Sequence, residues 1–295
     1  MPTFRQITII GTGLIGGSFA LAAKANGFRG KIVGCDRNPV LVKAKRSGAI
    51  DAAITDRIAA CTNSDLVVLA TPVGGIVQLI EKLGPHLSPG TLLTDVGSTK
   101  STIVRAAQRS FGAEASRRFL GGHPMAGKEH SGIEQADAGL FKGAVWFLTP
   151  LNGQKANAGR IADFCALIRK FGVKTISLDA AEHDRLCAWI SHVPQMISTA
   201  LASALVEEYG ENAPLLEAGG RALREMTRIA SSPYSMWRDV AITNKQQISD
   251  ALLKLEQELA HIRENLDTRT LEEEFEQAHK LNRRSTRRQQ LRSHG

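Results

Sequence analysis

His123 stands between glycines and a proline, in Gly121-Gly122-His123-Pro124-Met125-Ala126-Gly127. It is off any apolar helix face, where a neutral imidazole can serve as a general base. Upstream, Asp95-Val96-Gly97-Ser98-Thr99-Lys100 offers a serine hydroxyl that can orient such a base or share a substrate hydroxyl. Both segments read as loops after short apolar strands, as does Thr71-Pro72-Val73. Gly11-Thr12-Gly13-Leu14-Ile15-Gly16 is a G-x-G-x-x-G run between a predicted strand and a predicted helix. In that context the first glycine allows a tight turn and the second lets backbone approach a pyrophosphate. The third lets helix and strand pack closely, and the helix N-terminus attracts the negative charge. Asp36 follows twenty residues after Gly16, at the end of the second predicted strand. Its carboxylate suits the ribose hydroxyls of NAD and would repel the extra phosphate of NADP, although a guanidinium at Arg37 can bind that phosphate or stack on adenine. NAD is therefore the expected cofactor, with NADP possible, and Leu14, Ile15, Thr71 and Pro72 complete the residues expected around it.

The elements that must position these groups alternate. Strands are predicted at 6–10, 31–35, 66–70 and 91–94, with helices at 14–26, 39–47 and 76–83 between them. Such alternation needs right-handed crossovers and gives a mainly parallel, doubly wound α/β sheet of Rossmann type. Further strands are predicted at 119–121, 145–148 and 173–176, with a helix at 156–170. Beyond Asp179 the strand signals stop, and 180–209, 215–229, 235–241, 245–266 and 272–281 read as helical. Two domains are expected: 1–178 for the dinucleotide and an all-helical 179–279, followed by a basic, flexible tail at 280–295.

Composition narrows the classes. The chain has 295 residues, 43% hydrophobic and 22% charged, which excludes wholesale disorder. Six of its eight net positive charges lie in 280–295, leaving the body nearly neutral. The tail reads as a solvated terminus, and nucleic acid is not an expected partner. Cys35, Cys61, Cys165 and Cys187 are far apart, against a disulfide framework or a zinc ribbon. No metal is expected, because His123, His130, His183 and His192 lack a metal-ligand pattern. Glycines interrupt the apolar run 7–23, so neither a signal peptide nor a membrane span is expected. The expected location is the cytoplasm.

Read in order, the glycine loop, D-x-G-S-x-K, G-H-P-M-A-G, Ser191-His192-Val193-Pro194 and Thr227-Arg228-Ile229-Ala230 with Met236-Trp237-Arg238-Asp239 resemble the prephenate/arogenate dehydrogenases of tyrosine biosynthesis. The likeness runs from about residue 5 to about residue 265. It implies an oxidoreductase that transfers hydride from a cyclohexadienol to the nicotinamide, with loss of CO2. It also implies a helical C-terminal domain through which two subunits pair. His123 becomes the catalytic histidine with Ser98 beside it, His192 lies in the same pocket, and Arg228 takes a substrate carboxylate. Many prephenate-using relatives carry a second histidine where this chain has Gln195. Gln195 cannot become cationic, and its amide oxygen can accept from an ammonium, which tilts the expectation towards arogenate or dual specificity.

Two other readings share part of this pattern. A Rossmann hydroxyacid dehydrogenase with a helical second domain would use a lysine or a differently placed histidine, and would not require both G-H-P-M-A-G and Arg228. A non-catalytic NAD-binding regulator would use the basic tail on nucleic acid, with binding that weakens steeply in salt.

Overall fold

The computed structural model describes residues 4–128, 130–151, 153–154, 158–210 and 218–293, without the side chains of 282 and of 284 onward. The starts of the helices expected at 156 and 215 lie outside these residues. β1 (Gln6–Ile10) leads to α1 (Leu14–Ala25), then β2 (Lys31–Cys35), α2 (Asn38–Arg46), the short β3 (Ala52–Ala53) and α3 (Arg57–Cys61). β4 (Leu66–Leu69), α4 (Val73–Leu83), β5 (Leu92–Asp95), α5 (Ser101–Phe111), α6 (Ala115–Arg118) and β6 (Phe119–Pro124) continue the alternation. β7 (Val145–Thr149), α7 (Gly159–Arg169) and β8 (Lys174–Ser177) end it.

Eight strands form one sheet in the order β3-β2-β1-β4-β5-β6-β7-β8. All neighbours are parallel except β6 and β7. Successive side chains of a strand point to opposite faces. Ile7 and Ile9 of β1 and Leu66 and Val68 of β4 accordingly join one buried cluster with Phe19 and Phe164, while Ile10, Val67 and Leu69 join another with Ile76, Leu83 and Phe111. Both faces are covered, as a parallel sheet requires. Gly11 has φ +93°, and a Cβ there would lie 2.4 Å from the Ala70 carbonyl oxygen. A side chain at Gly16 would sit 2.0 Å from the Gly11 carbonyl oxygen, so α1 could not rest against the turn.

The second half is helical: α8 (Ala180–Cys187), α9 (Val193–Tyr209), α10 (Gly220–Thr227), α11 (Tyr234–Thr243), α12 (Lys245–Glu264) and α13 (Arg269–Ser293). The single helix expected over 180–209 is interrupted by a wide π-turn at Ala188–His192, which periodicity of 3.6 cannot reveal. By packing, residues up to Ile248 form one unit and Ser249 onward a second. The basic segment, expected to be flexible, carries the helical backbone of α13 to Ser293. No helix among the described residues is long and apolar enough to cross a membrane.

Candidate active site

β6 outruns its parallel neighbour. Phe119 and Leu120 pair with β5, but Gly121 to Pro124 pair antiparallel with β7. His123, expected on a loop, is therefore the fifth residue of a strand, beyond the C-terminal end of β5. That is the edge where doubly wound sheets keep their ligands. Asp95, the last residue of β5, secures the transition by accepting from the Gly122 amide at 3.2 Å and the Gly97 amide at 2.8 Å. Lys100, fully buried, forms an ion pair with Asp95 and donates to the Gly122 carbonyl at 2.6 Å.

His123 Nδ1 lies 2.9 Å from His183 Nε2, and His183 Nδ1 lies 2.9 Å from Asp184 Oδ1. Asp184 also accepts the amides of Lys100 (2.7 Å) and Ser101 (2.9 Å) at the start of α5. Against burial, which raises it, the bonds from His183, Ser101 and Lys100 hold the Asp184 carboxyl below its ordinary range. A carboxylate only accepts, so His183 donates from Nδ1 and accepts at Nε2. His123 must then donate from Nδ1, which leaves the Nε2 lone pair for a proton from a ligand. Burial, then the neighbouring His183 and Lys100, depress the His123 pKa well below 6.5. The imidazole is neutral at physiological pH.

Asn244 extends the network by donating to the Asp184 carbonyl at 2.8 Å and lying 3.1 Å from His192 Nδ1. His192 closes the π-turn, and burial pushes its pKa down to about 4. Its Nε2 and the indole N–H of Trp237 are buried without hydrogen-bond partners among the described residues, with the two rings edge to face at 6.0 Å. Gln195, one turn further on, donates to the Ile229 carbonyl at 2.9 Å and to Thr199 Oγ1 at 3.2 Å. The first of these bonds ties it to the turn that begins at Arg228. Asp239 accepts from the Gly74 amide at 2.9 Å and so caps α4, while Thr99 meets Thr243 at 2.8 Å.

The structure brings His123 and His192 into one network with His183, Asp184 and Asn244 and ties Gln195 to the turn at Arg228; the sequence reading assigns no role to His183, Asp184, Lys100, Asp95, Asn244 or Asp239. Among the described residues no hydrogen bond joins Ser98 to His123. The orienting bond expected from Ser98 comes from His183, and Ser98 stays half-buried on the loop after β5. Asp95, Lys100 and Asp239 lie within motifs that the sequence singles out, and His183 and Cys187 stand four residues apart on α8.

Beyond the ends of β1, β2 and β4, a cleft of about 280 Å³ is lined by Gly11, Asp36, Arg37, Thr55, Arg57 and Thr71. Asp36 is aimed by the Thr12 amide at 2.8 Å and the Arg37 amide at 2.7 Å. Among the described residues nothing crowds the position of a Gly13 Cβ and no side chain caps α1, whose first turn holds Leu14 and Ile15. Pro72 precedes α4 as its N-terminal cap. Free amides at a helix start, room above the second glycine and a fixed carboxylate fit a dinucleotide.

The buried neutral histidines make stability depend on pH. In the unfolded chain a histidine binds a proton near pH 6.5, whereas the folded chain refuses it until the depressed pKa is reached. Between those values the unfolded state holds more protons, so stability falls as pH falls, by about 1.4 kcal/mol per pH unit for each such group. For His192 the window runs from 6.5 to about 4. Urea unfolding followed from pH 7 to pH 4 should show a falling midpoint, with a shallower slope in His192→Asn.

The family model described as prephenate dehydrogenase, nucleotide-binding domain, matches residues 19–177, and that described as prephenate dehydrogenase, dimerization domain, matches 179–280. A prephenate dehydrogenase of Lactococcus lactis is 34% identical over 287 residues, 94% of this chain and 76% of the relative. The crystal structure of prephenate dehydrogenase from A. aeolicus, in complex with hydroxyphenyl propionate and NAD+, superposes with a TM-score of 0.83 at 31% identity, covering 97% of this chain and 98% of that one. Synechocystis arogenate dehydrogenase follows at 0.73 and 28%, covering 95% and 97%. With both halves matched and a 34% identical relative covered over 76% of its length, the chain belongs to the prephenate dehydrogenase family.

Proposed function

We propose that this protein catalyses the NAD-dependent oxidative decarboxylation of arogenate, prephenate or both, giving tyrosine or 4-hydroxyphenylpyruvate, with His123 as the base. One observation carries the assignment of roles: Asp184, His183 and His123 are joined so that, of the two imidazoles, His123 Nε2 keeps a lone pair without a partner among the described residues. NAD, when bound, supplies the hydride acceptor. His123 takes the proton of the substrate hydroxyl, which raises electron density on the carbon that gives up hydride. Loss of CO2 then aromatises the ring and makes the reaction effectively irreversible. Asp184 stabilises the charge that spreads through the two imidazoles. Ser98 shares the substrate hydroxyl, and Arg228 takes a carboxylate with its planar fork. Asn244 donates to His192 Nδ1, so His192 Nε2 and the Trp237 indole both present N–H groups to the ring substituents. With its amide N–H groups bound to Ile229 and Thr199, Gln195 turns its oxygen to the substrate side chain, which favours the ammonium of arogenate over a keto group.

The protein is proposed to be a homodimer of the cytoplasm with its domain boundary near residue 178. Trp189, Ile190, Met236, Tyr234 and Ile242 of the helical half are exposed apolar side chains that a second subunit would cover.

The decisive test is formation of reduced nicotinamide with prephenate or arogenate crossed with NAD or NADP. Arogenate with NAD is expected to give the highest kcat/KM. No turnover in any of the four combinations, from folded protein that binds NAD, would sink the reading. In the same assay Asp36→Ala should shift the NADP to NAD ratio of kcat/KM by about tenfold or more. It removes the charge facing the extra phosphate and leaves Arg37 and Arg57 to receive it. An unchanged ratio would mean that Asp36 does not face the ribose.

A further inference from the structure

Cys187 sits against the relay without a place in the proposed reaction. Its Sγ lies 3.4 Å from His183 Nε2 and 3.9 Å from His123 Nδ1, while those nitrogens are 2.9 Å apart. All three residues are buried, and their ligand atoms lie within 4.8 Å of one another. We propose that His123 Nδ1, His183 Nε2 and Cys187 Sγ form a binding site for a thiophilic divalent cation of the zinc class, and that its occupancy switches the base off.

The geometry is near what such an ion needs. Zinc bonds of ~2.0–2.1 Å to nitrogen and ~2.3 Å to sulfur set tetrahedral edges of about 3.3–3.6 Å, so the three atoms need move only by roughly half an ångström. The outer shell is in place as well, since a metal-binding histidine commonly donates its other N–H to a carboxylate. His183 does so to Asp184. Charge also balances, because a Cys187 thiolate with Asp184, Asp95 and the Lys100 ammonium sums to minus two. His183 and Cys187 reach the same point because they are one turn apart on α8, and His123 arrives from β6.

Binding would follow a defined proton balance. The thiol proton leaves to solvent. The proton on His123 Nδ1 gives way to the metal and reappears on Nε2, so the nitrogen that accepts the substrate proton becomes a donor. No electrons move. Affinity rises with pH, as expected where a thiol must ionise. Turnover should fall by ~10²–10⁴-fold, the effect of losing a general base, and return with a chelator.

Cobalt(II) tests the site independently of the reaction. Chelator-treated protein is titrated with the metal alone and the absorption spectrum recorded. One equivalent should produce a thiolate-to-cobalt charge-transfer band with the visible bands of a tetrahedral ion, and Cys187→Ala should abolish both while still binding NAD. No such band in the wild type, or one that survives in Cys187→Ala, would overturn the proposal. Should that variant not fold, zinc-edge X-ray absorption of the wild type decides: two nitrogens and one sulfur support the site, and a shell without sulfur refutes it.

Discussion

His123→Ala is expected to lower kcat by about 10²–10⁴-fold while NAD binding is unchanged. The imidazole lies on the antiparallel stretch of β6, away from the dinucleotide cleft at Gly11 and Asp36, so its removal leaves that cleft intact. Stopped-flow turnover and NAD titration on the same preparation check both halves of the expectation. Asp184→Asn should lose most of the same factor. An amide can present its N–H to His183 and force the reverse tautomer, which leaves His123 Nε2 with the hydrogen and no lone pair to offer. Groups that act as one unit do not add, so the double variant should be no slower than His123→Ala alone. The pH profile gives a further readout. The acid limb of kcat/KM should fall well below pH 6.5, because the neutral form is active and burial delays its protonation. Retention of activity within about tenfold in His123→Ala would place the base elsewhere.

The second large effect concerns stability. Lys100 and Asp95 form an ion pair with no solvent exposure on either side chain. Lys100→Met keeps the length of the side chain but leaves the Asp95 carboxylate buried without its counter-charge, which costs about 3–5 kcal/mol. Asp95 also fixes the amides of Gly97 and Gly122. The damage should therefore reach the strand that bears His123, and activity should fall with stability. Adding Asp95→Asn removes the uncompensated charge and should restore a large part of the loss. Urea unfolding of the wild type and the two variants measures both effects. A loss below about 1 kcal/mol in Lys100→Met would show that water reaches the pair.

Much of this was legible in the sequence, for reasons that differ by element. Core strands such as Leu66–Leu69 are buried on both faces, and an uninterrupted apolar run announces them. The glycine loop is legible because only glycine satisfies the backbone at Gly11. α5 went unseen because it opens on Ser101-Thr102-Ile103-Val104, whose hydroxyl and β-branched residues weaken a helical reading. The pairs β3 and α3 are too short to show a period. The strand expected at 119–121 stops short of His123, because the ladder that extends β6 comes from β7, more than twenty residues later. His183 and Asp184 were missed for a related reason. On their own helix they look like two polar residues of an amphipathic stretch, and only the fold brings them to His123 and to the start of α5. Gln195 and Arg228 were recognisable as motif positions, whereas the bond from Gln195 to the Ile229 carbonyl was not.

The antiparallel switch in β6 has a bearing on when the protein comes to life during its synthesis. The dinucleotide half closes on local pairings, since β1, β2 and β4 are all made within the first seventy residues. The imidazole, by contrast, waits for β7 to seat it, then for a partner sixty residues downstream, and finally for Asn244 to steady the carbonyl of Asp184. Domains fold as units while the chain emerges. The strands that carry the glycine loop and Asp36 are thus synthesised well before the groups that hold His123 in place, whereas the core under them waits for Trp146 and Phe164.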